Sequence, residues 1–136
     1  MKFKLLILSA VFTFALSSCQ KDLAVDWAGT YTGANGSTFN QVVVSKVNKN
    51  TVKIELQQYY LPTASYITYA TVGSGKLSSA SAVSVDEDGS IITDPGVSFH
   101  FTGAGSLSGN TLTLSGQAQN KNNTSDIRTY VFSGIK

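Results

Sequence analysis

Two hydropathy patterns divide the chain. Leu5 to Leu16 is a nearly continuous apolar run, broken only by Ser9 and Thr13 and preceded by Lys2 and Lys4. From Trp27 onward the apolar residues alternate instead. Val52, Ile54 and Leu56 oppose Lys53, Glu55 and Gln57; Val97, Phe99 and Phe101 oppose Ser98, His100 and Thr102; Leu112 and Leu114 oppose Thr111, Thr113 and Ser115. A period of two with one polar face marks antiparallel strands, one side in the core and the other in water. Turn-forming residues punctuate the alternation at Asn35-Gly36, Asn48-Lys49-Asn50, Gly73-Ser74-Gly75, Asp86-Glu87-Asp88-Gly89, Asp94-Pro95-Gly96 and Ser108-Gly109-Asn110. They delimit strands over 27–34, 38–48, 51–60, 65–73, 76–85, 89–93, 97–105, 110–118 and 126–134.

Strands that each follow their sequence neighbour through a tight turn predict an antiparallel meander. Closure removes the two open edges of a long meander. The expected fold is therefore all-β, about eight strands in a small closed or partly open β-barrel. Val42, Val43 and Val44 break the alternation and predict a bulge, or a strand covered on both faces. Trp27, Tyr31, Phe99, Phe101, Tyr130 and Phe132 come from opposite ends of the chain and are expected to fill the interior.

The N-terminal run has the layout of a secretory signal and is too short for a membrane span, which needs about 20 apolar residues. Leu16-Ser17-Ser18-Cys19 resembles the bacterial lipobox. The resemblance implies that residues 1–18 are removed, that the Cys19 thiol is diacylated, and that its freed amine takes a further chain. Two or more acyl chains hold a protein on a bilayer where one binds only marginally. Gln20-Lys21-Asp22 resembles the lipoprotein export signal of Bacteroidota, which implies an outer-membrane lipoprotein displayed at the cell surface. The resulting layout is a leader over 1–18, a lipid-anchored tether over 19–26 and one barrel domain over 27–136.

Composition narrows the chemistry. The chain of 136 residues has one Cys and one His, which excludes a Cys/His zinc cluster, an internal disulfide framework and any mechanism using two histidines. The formal net charge is +2, and removal of Lys2 and Lys4 with the leader brings it to zero. No basic stripe remains of the kind that gives nucleic-acid affinity. Nucleic acid is not an expected partner.

Three segments carry a second resemblance: Trp27-Ala28-Gly29-Thr30-Tyr31-Thr32-Gly33, the stretch from Phe101 to Leu114, and Tyr130-Val131-Phe132-Ser133-Gly134. Together they resemble the small lipocalin-like or calycin-like lipoproteins of Bacteroidota. The resemblance implies a lipocalin-like barrel able to hold a small apolar ligand in its mouth; it transfers no binding residues, because fold does not fix function.

Among candidate groups, His100 would need an acidic partner and a nucleophile to act in a triad. Its same-face strand neighbours are Ser98 and Thr102, which points to a solvent-facing strand residue. Asp86, Glu87 and Asp88 do not fit a calcium loop, since Gly89 is fourth from Asp86 and Val97 twelfth; they read as a solvated acidic hairpin turn. No catalytic residue, metal ligand or cofactor is expected. Tyr59, Tyr60, Tyr66 and Tyr69 flank one loop, where such rings can stack on sugar faces or rim an apolar opening. Alternation sends the four to different faces, with Tyr60 and Tyr66 nearest the connection. The expected function is a non-catalytic, membrane-anchored barrel that binds a small apolar ligand or a glycan. Its alternative is an accessory lipoprotein contacting an outer-membrane protein, through a sheet edge for example. An enclosed apolar space of about 300 Å³ or more marks the carrier, and a filled interior the accessory role.

Overall fold

The computed structural model describes residues 21–136. The expected leader over 1–18, the lipidation site Cys19 and Gln20 of the export motif lie outside the described residues. The elements are a short helix α1 (Leu23–Trp27), then β1 (Gly29–Gly33), β2 (Gln41–Asn48), β3 (Thr51–Tyr60), a 3-10 turn (Leu61–Thr63), β4 (Ser65–Ser79), β5 (Ala82–Ser90), β6 (Ser98–Ser108), β7 (Thr111–Asn120) and β8 (Ile127–Ile135). All strands are antiparallel to their sequence neighbours, and β1 also pairs with β8. The expected meander is thus a closed eight-stranded barrel.

Inward positions explain the closure. Val52, Ile54 and Leu56 of β3, Phe99 and Phe101 of β6, Leu112 and Leu114 of β7, and Tyr130 and Phe132 of β8 are all buried. Large residues face small ones across the interior. A Cβ at Gly103 or Gly116 would overlap the Tyr130 hydroxyl, so these two glycines make the space in which that ring lies. The Tyr130 hydroxyl donates to the Thr102 carbonyl (3.3 Å). Burial pushes its pKa up to about 12. The six aromatics expected inside are all buried.

The expected strand over 89–93 does not form: β5 ends at Ser90, and Ile91 makes only a single bridge to Ala70. Three other differences from the sequence reading have a local reason. Trp27 does not open a strand; it ends α1, where Ala24 and Trp27, three residues apart, turn one face into the barrel's end. The indole N–H donates to the Ala80 carbonyl (3.0 Å), and the Tyr31 hydroxyl donates to the Trp27 carbonyl (2.8 Å). The segment 19–26 is therefore part of the barrel from Leu23 on, and not a free tether there. Gly73-Ser74-Gly75 does not end a strand either. The register of β3 with β4 passes from Val52–Gly75 to Ile54–Val72, a bulge that bends β4 while it continues to Ser79.

Asp86-Glu87-Asp88-Gly89 is likewise not a turn but the second half of β5, paired in order with Thr102, Phe101, His100 and Phe99 of β6. The outward Asp86 and Asp88 stay solvated while Gly89 lies beneath Phe101. Glu87 turns into the gap where β4 and β5 part. Its carboxylate accepts from the Ser74 backbone N–H (2.9 Å) and from the Ser74 hydroxyl, standing in for a strand partner. In β2, Val42 and Val44 point inward with Val43 half-buried between them, and the expected irregularity falls between Lys46 and Asn48.

The seam between β1 and β8 has backbone register only at Thr32–Ile135 and Gly33–Gly134. Beyond it, hydroxyls replace a strand: the Val131 N–H donates to Thr38 Oγ1 (2.9 Å) and the Ser133 N–H to Ser37 Oγ (3.0 Å). The barrel has two unlike poles. One is plugged by α1 and carries the turns at 48–51, 79–82 and 108–111 together with Lys136. The other carries the connections at 34–40, 61–64, 91–97 and 121–126. No helix among the described residues is long and apolar enough to cross a membrane.

Candidate functional site: the open pole and its tyrosines

Beneath the open pole lies a cavity of about 70 Å³, walled by Phe39, Leu56, Tyr69, Ile91, Phe101 and Tyr130 among others. That is room for a few waters and well below the roughly 300 Å³ of the smallest usual ligand pockets. Phe39 and Tyr69 pack across the opening with ring centroids 5.5 Å apart. The interior is filled by side chains down to the α1 plug.

Arg128 sits at the mouth, at an inward position of β8. Its guanidinium lies 4.7 Å over the Phe99 ring, a cation–π contact. It donates to both carboxylate oxygens of Asp94 (2.6 and 3.0 Å) and to Asp126 (3.1 Å). Arg128, helped by the Thr93 hydroxyl, holds the Asp94 carboxyl down to about 2. Hydrogen bonds from Arg128 and Asn120 also lower the Asp126 pKa, and the guanidinium is itself raised by the two carboxylates. The clamp ties the 91–97 and 121–126 connections together across the mouth. Sequence reading missed it because Asp94 and Arg128 are distant in the chain, one in an expected turn and the other in an expected strand.

The four tyrosines divide. Tyr59 and Tyr66 are direct cross-strand partners on the outer wall, with rings edge to face at 5.4 Å and both exposed. Gln58 lines the cavity, so Tyr60, two residues on, continues the inner face above the rim, where it is exposed. Tyr69 lies at the second bulge of β4 and lines the cavity. The chain turns at Leu61, which is 80% exposed. Below the Tyr59–Tyr66 pair, the register brings Gln41, Gln57 and Thr68 side by side on the same outer face. The Gln57 amide donates to the Thr68 hydroxyl at 3.4 Å. These polar neighbours were not singled out from the sequence; cross-strand register alone brings them beside the rings.

His100 and the acidic run, read separately in the sequence, meet on the wall of β5 and β6. His100 Nδ1 lies 3.0 Å from Asp88 Oδ1 and Nε2 lies 3.0 Å from Asp86 Oδ1. Lys121 pairs with the other Asp88 oxygen. Hydrogen bonds from Lys121 and His100 lower the Asp88 pKa. Both imidazole nitrogens face carboxylates, so neither is placed to take a proton from a hydroxyl as a triad requires. Among the described residues no cluster of His, Cys, Asp and Glu is arranged to hold a metal ion. Lys21 and Asp22 precede α1 and pair with Asp26 and Lys46 respectively.

No protein-family model, curated protein or solved structure matches this chain.

Proposed function

We propose that the protein is a non-catalytic, lipid-anchored binding module of the outer membrane, displayed at the cell surface, that holds a neutral glycan on its outer wall. The observation that carries the reading is the Tyr59–Tyr66 pair, exposed beside Gln41, Gln57 and Thr68 at the pole opposite the chain's entry. Aromatic faces take the apolar face of a sugar ring, and amide and hydroxyl groups alongside exchange hydrogen bonds with its hydroxyls. None of these five side chains is charged, which suits an uncharged ligand. A cavity of about 70 Å³ counts against carriage of an apolar ligand inside the barrel and leaves surface contact, with a glycan or, as a filled interior was expected to mark, with a protein. The lipobox resemblance at Leu16–Cys19 and the Gln20-Lys21-Asp22 motif support anchorage and display.

A second reading, contact with an outer-membrane protein, draws on Leu61 and Tyr60 at the tip of the β3–β4 connection. It does not draw on a sheet edge, since barrel closure pairs the edge strands with each other. Retention on a glycan array separates the two. A stacked ring contributes about 1 kcal/mol, so Tyr59→Ala with Tyr66→Ala is expected to weaken glycan retention tenfold or more. The fold should lose only about 1 kcal/mol, the worth of the ring pair itself. Retention unchanged by the double substitution refutes the glycan platform. Retention lost instead with Leu61→Asp moves the contact to the tip.

A further inference from the structure

The chain has as many cations as carboxylates once the leader is gone, yet the barrel separates them along its axis. Lys21, Lys46, Lys49, Lys53, Lys76 and Lys136 all lie at or near the α1 pole, against Asp22, Asp26 and Glu55. That pole has an excess of three positive charges. From mid-wall to the mouth, Asp86, Glu87, Asp88, Asp94 and Asp126 outnumber Lys121 and Arg128 by three. Lys49 and Lys76 form no ion pair among the described residues, so their charge faces solvent uncompensated.

A second observation falls on the same pole. Val25 on α1, Val47 at the end of β2 and Ile135 at the end of β8 are 57%, 55% and 63% exposed. Isolated apolar residues on a surface need no explanation, but apolar side chains interleaved with lysines are the composition of an interfacial membrane contact. The segment before residue 21 joins the barrel at this pole, immediately before α1.

We propose that the α1 pole is a membrane-docking face that rests on anionic lipid headgroups. The lysines meet the headgroup phosphates while Val25, Val47 and Ile135 enter the interfacial layer. The negative mouth is repelled from the same surface, so the barrel stands with Tyr59 and Tyr66 facing away from the bilayer. The proposal builds on the reading of an anchored protein but does not need the acyl chains, which lets the two be tested apart.

The test uses the chain from residue 19 onward carrying Cys19→Ser, which includes the whole closed barrel and bears no lipid. It is sedimented with vesicles of phosphatidylcholine alone and of phosphatidylcholine mixed with phosphatidylglycerol. Binding is expected only to the mixed vesicles and should fall as salt is added. Each lysine near an anionic surface strengthens binding about fivefold, so Lys49→Gln with Lys76→Gln should weaken it more than tenfold. Lys121→Gln, at the far pole, should not weaken it. Orientation is read with a bimane label, attached through the single thiol of Val47→Cys or Ile92→Cys, whose emission brominated lipid should quench at Val47, near the α1 pole, and spare at Ile92, in the connection at the far pole. Equal binding to both vesicles, no loss with the lysine pair, or equal quenching at the two positions overturns the proposal. None of these results bears on whether Cys19 is acylated.

Discussion

Replacing Trp27 tests whether α1 is an integral part of the barrel or a passing segment of a tether. The side chain is fully buried, and its indole N–H is satisfied by the Ala80 carbonyl at 3.0 Å. Truncating a buried Trp to Ala costs about 3–5 kcal/mol, from lost apolar burial and the cavity left behind. Trp27→Phe keeps most of the apolar surface but removes the donor, a loss of about 1 kcal/mol for the hydrogen bond and a similar amount for the smaller ring. Val25→Ala, on the exposed side of the same helix, should stay within about 0.5 kcal/mol. For a domain of this size each kcal/mol moves the melting temperature about 3–5 °C, so Trp27→Ala should lower it by about 10–25 °C. The chain has one tryptophan, so unfolding in urea is best followed by far-ultraviolet circular dichroism rather than indole fluorescence. A loss for Trp27→Ala no larger than that for Val25→Ala would refute the account of α1 as a plug.

Two further outcomes are expected. Asp94 is held at about 2 in the folded protein by Arg128 against roughly 3.9 when unfolded, and a depressed carboxyl stabilises the fold above its unfolded pKa and ceases to do so as pH falls through its folded one. Stability should therefore decline between about pH 4 and pH 2, and Asp94→Asn should flatten that slope in acid titrations; an unchanged slope would show that the clamp plays no part in acid unfolding. In cells, Cys19→Ser should abolish labelling by a fatty-acid probe and leave the leader uncleaved by the lipoprotein pathway, whereas normal labelling would remove the basis for the proposed anchor.

Alternation made the fold legible because a strand with one wet and one dry face has to show it residue by residue. Val52, Ile54 and Leu56, like Leu112 and Leu114, could be assigned inward without any tertiary information. The turn signals were weaker guides, since Gly and Asp serve inside strands as well as between them. Gly73–Gly75 bends β4 at a bulge, and Asp86–Gly89 holds two outward carboxylates, one carboxylate bonded into a seam and one glycine under a ring. From sequence these are the same residue types as a hairpin turn. The tyrosine cluster was visible as a cluster but not as a site. Which rings face one another depends on the register of β3 with β4, and the bulge between Leu56 and Gln57 sets that register.

By itself, the sequence determined the class of fold and the aromatic composition of its core. These follow from composition and from periodicities of one or two residues, which are properties of the chain read in order. Only the tertiary structure decided that the barrel closes, that Trp27 plugs one end, that Arg128 clamps the other, and that lysines gather at one pole and carboxylates towards the opposite one. The reason is that consecutive strands run in opposite directions. Residues far apart in sequence, such as Lys49, Lys76 and Lys136, come to one pole, and neighbours within a single strand, such as Lys53 and Tyr59, are carried towards different ones. Charge that cancels over residues 21–136 then separates along the axis.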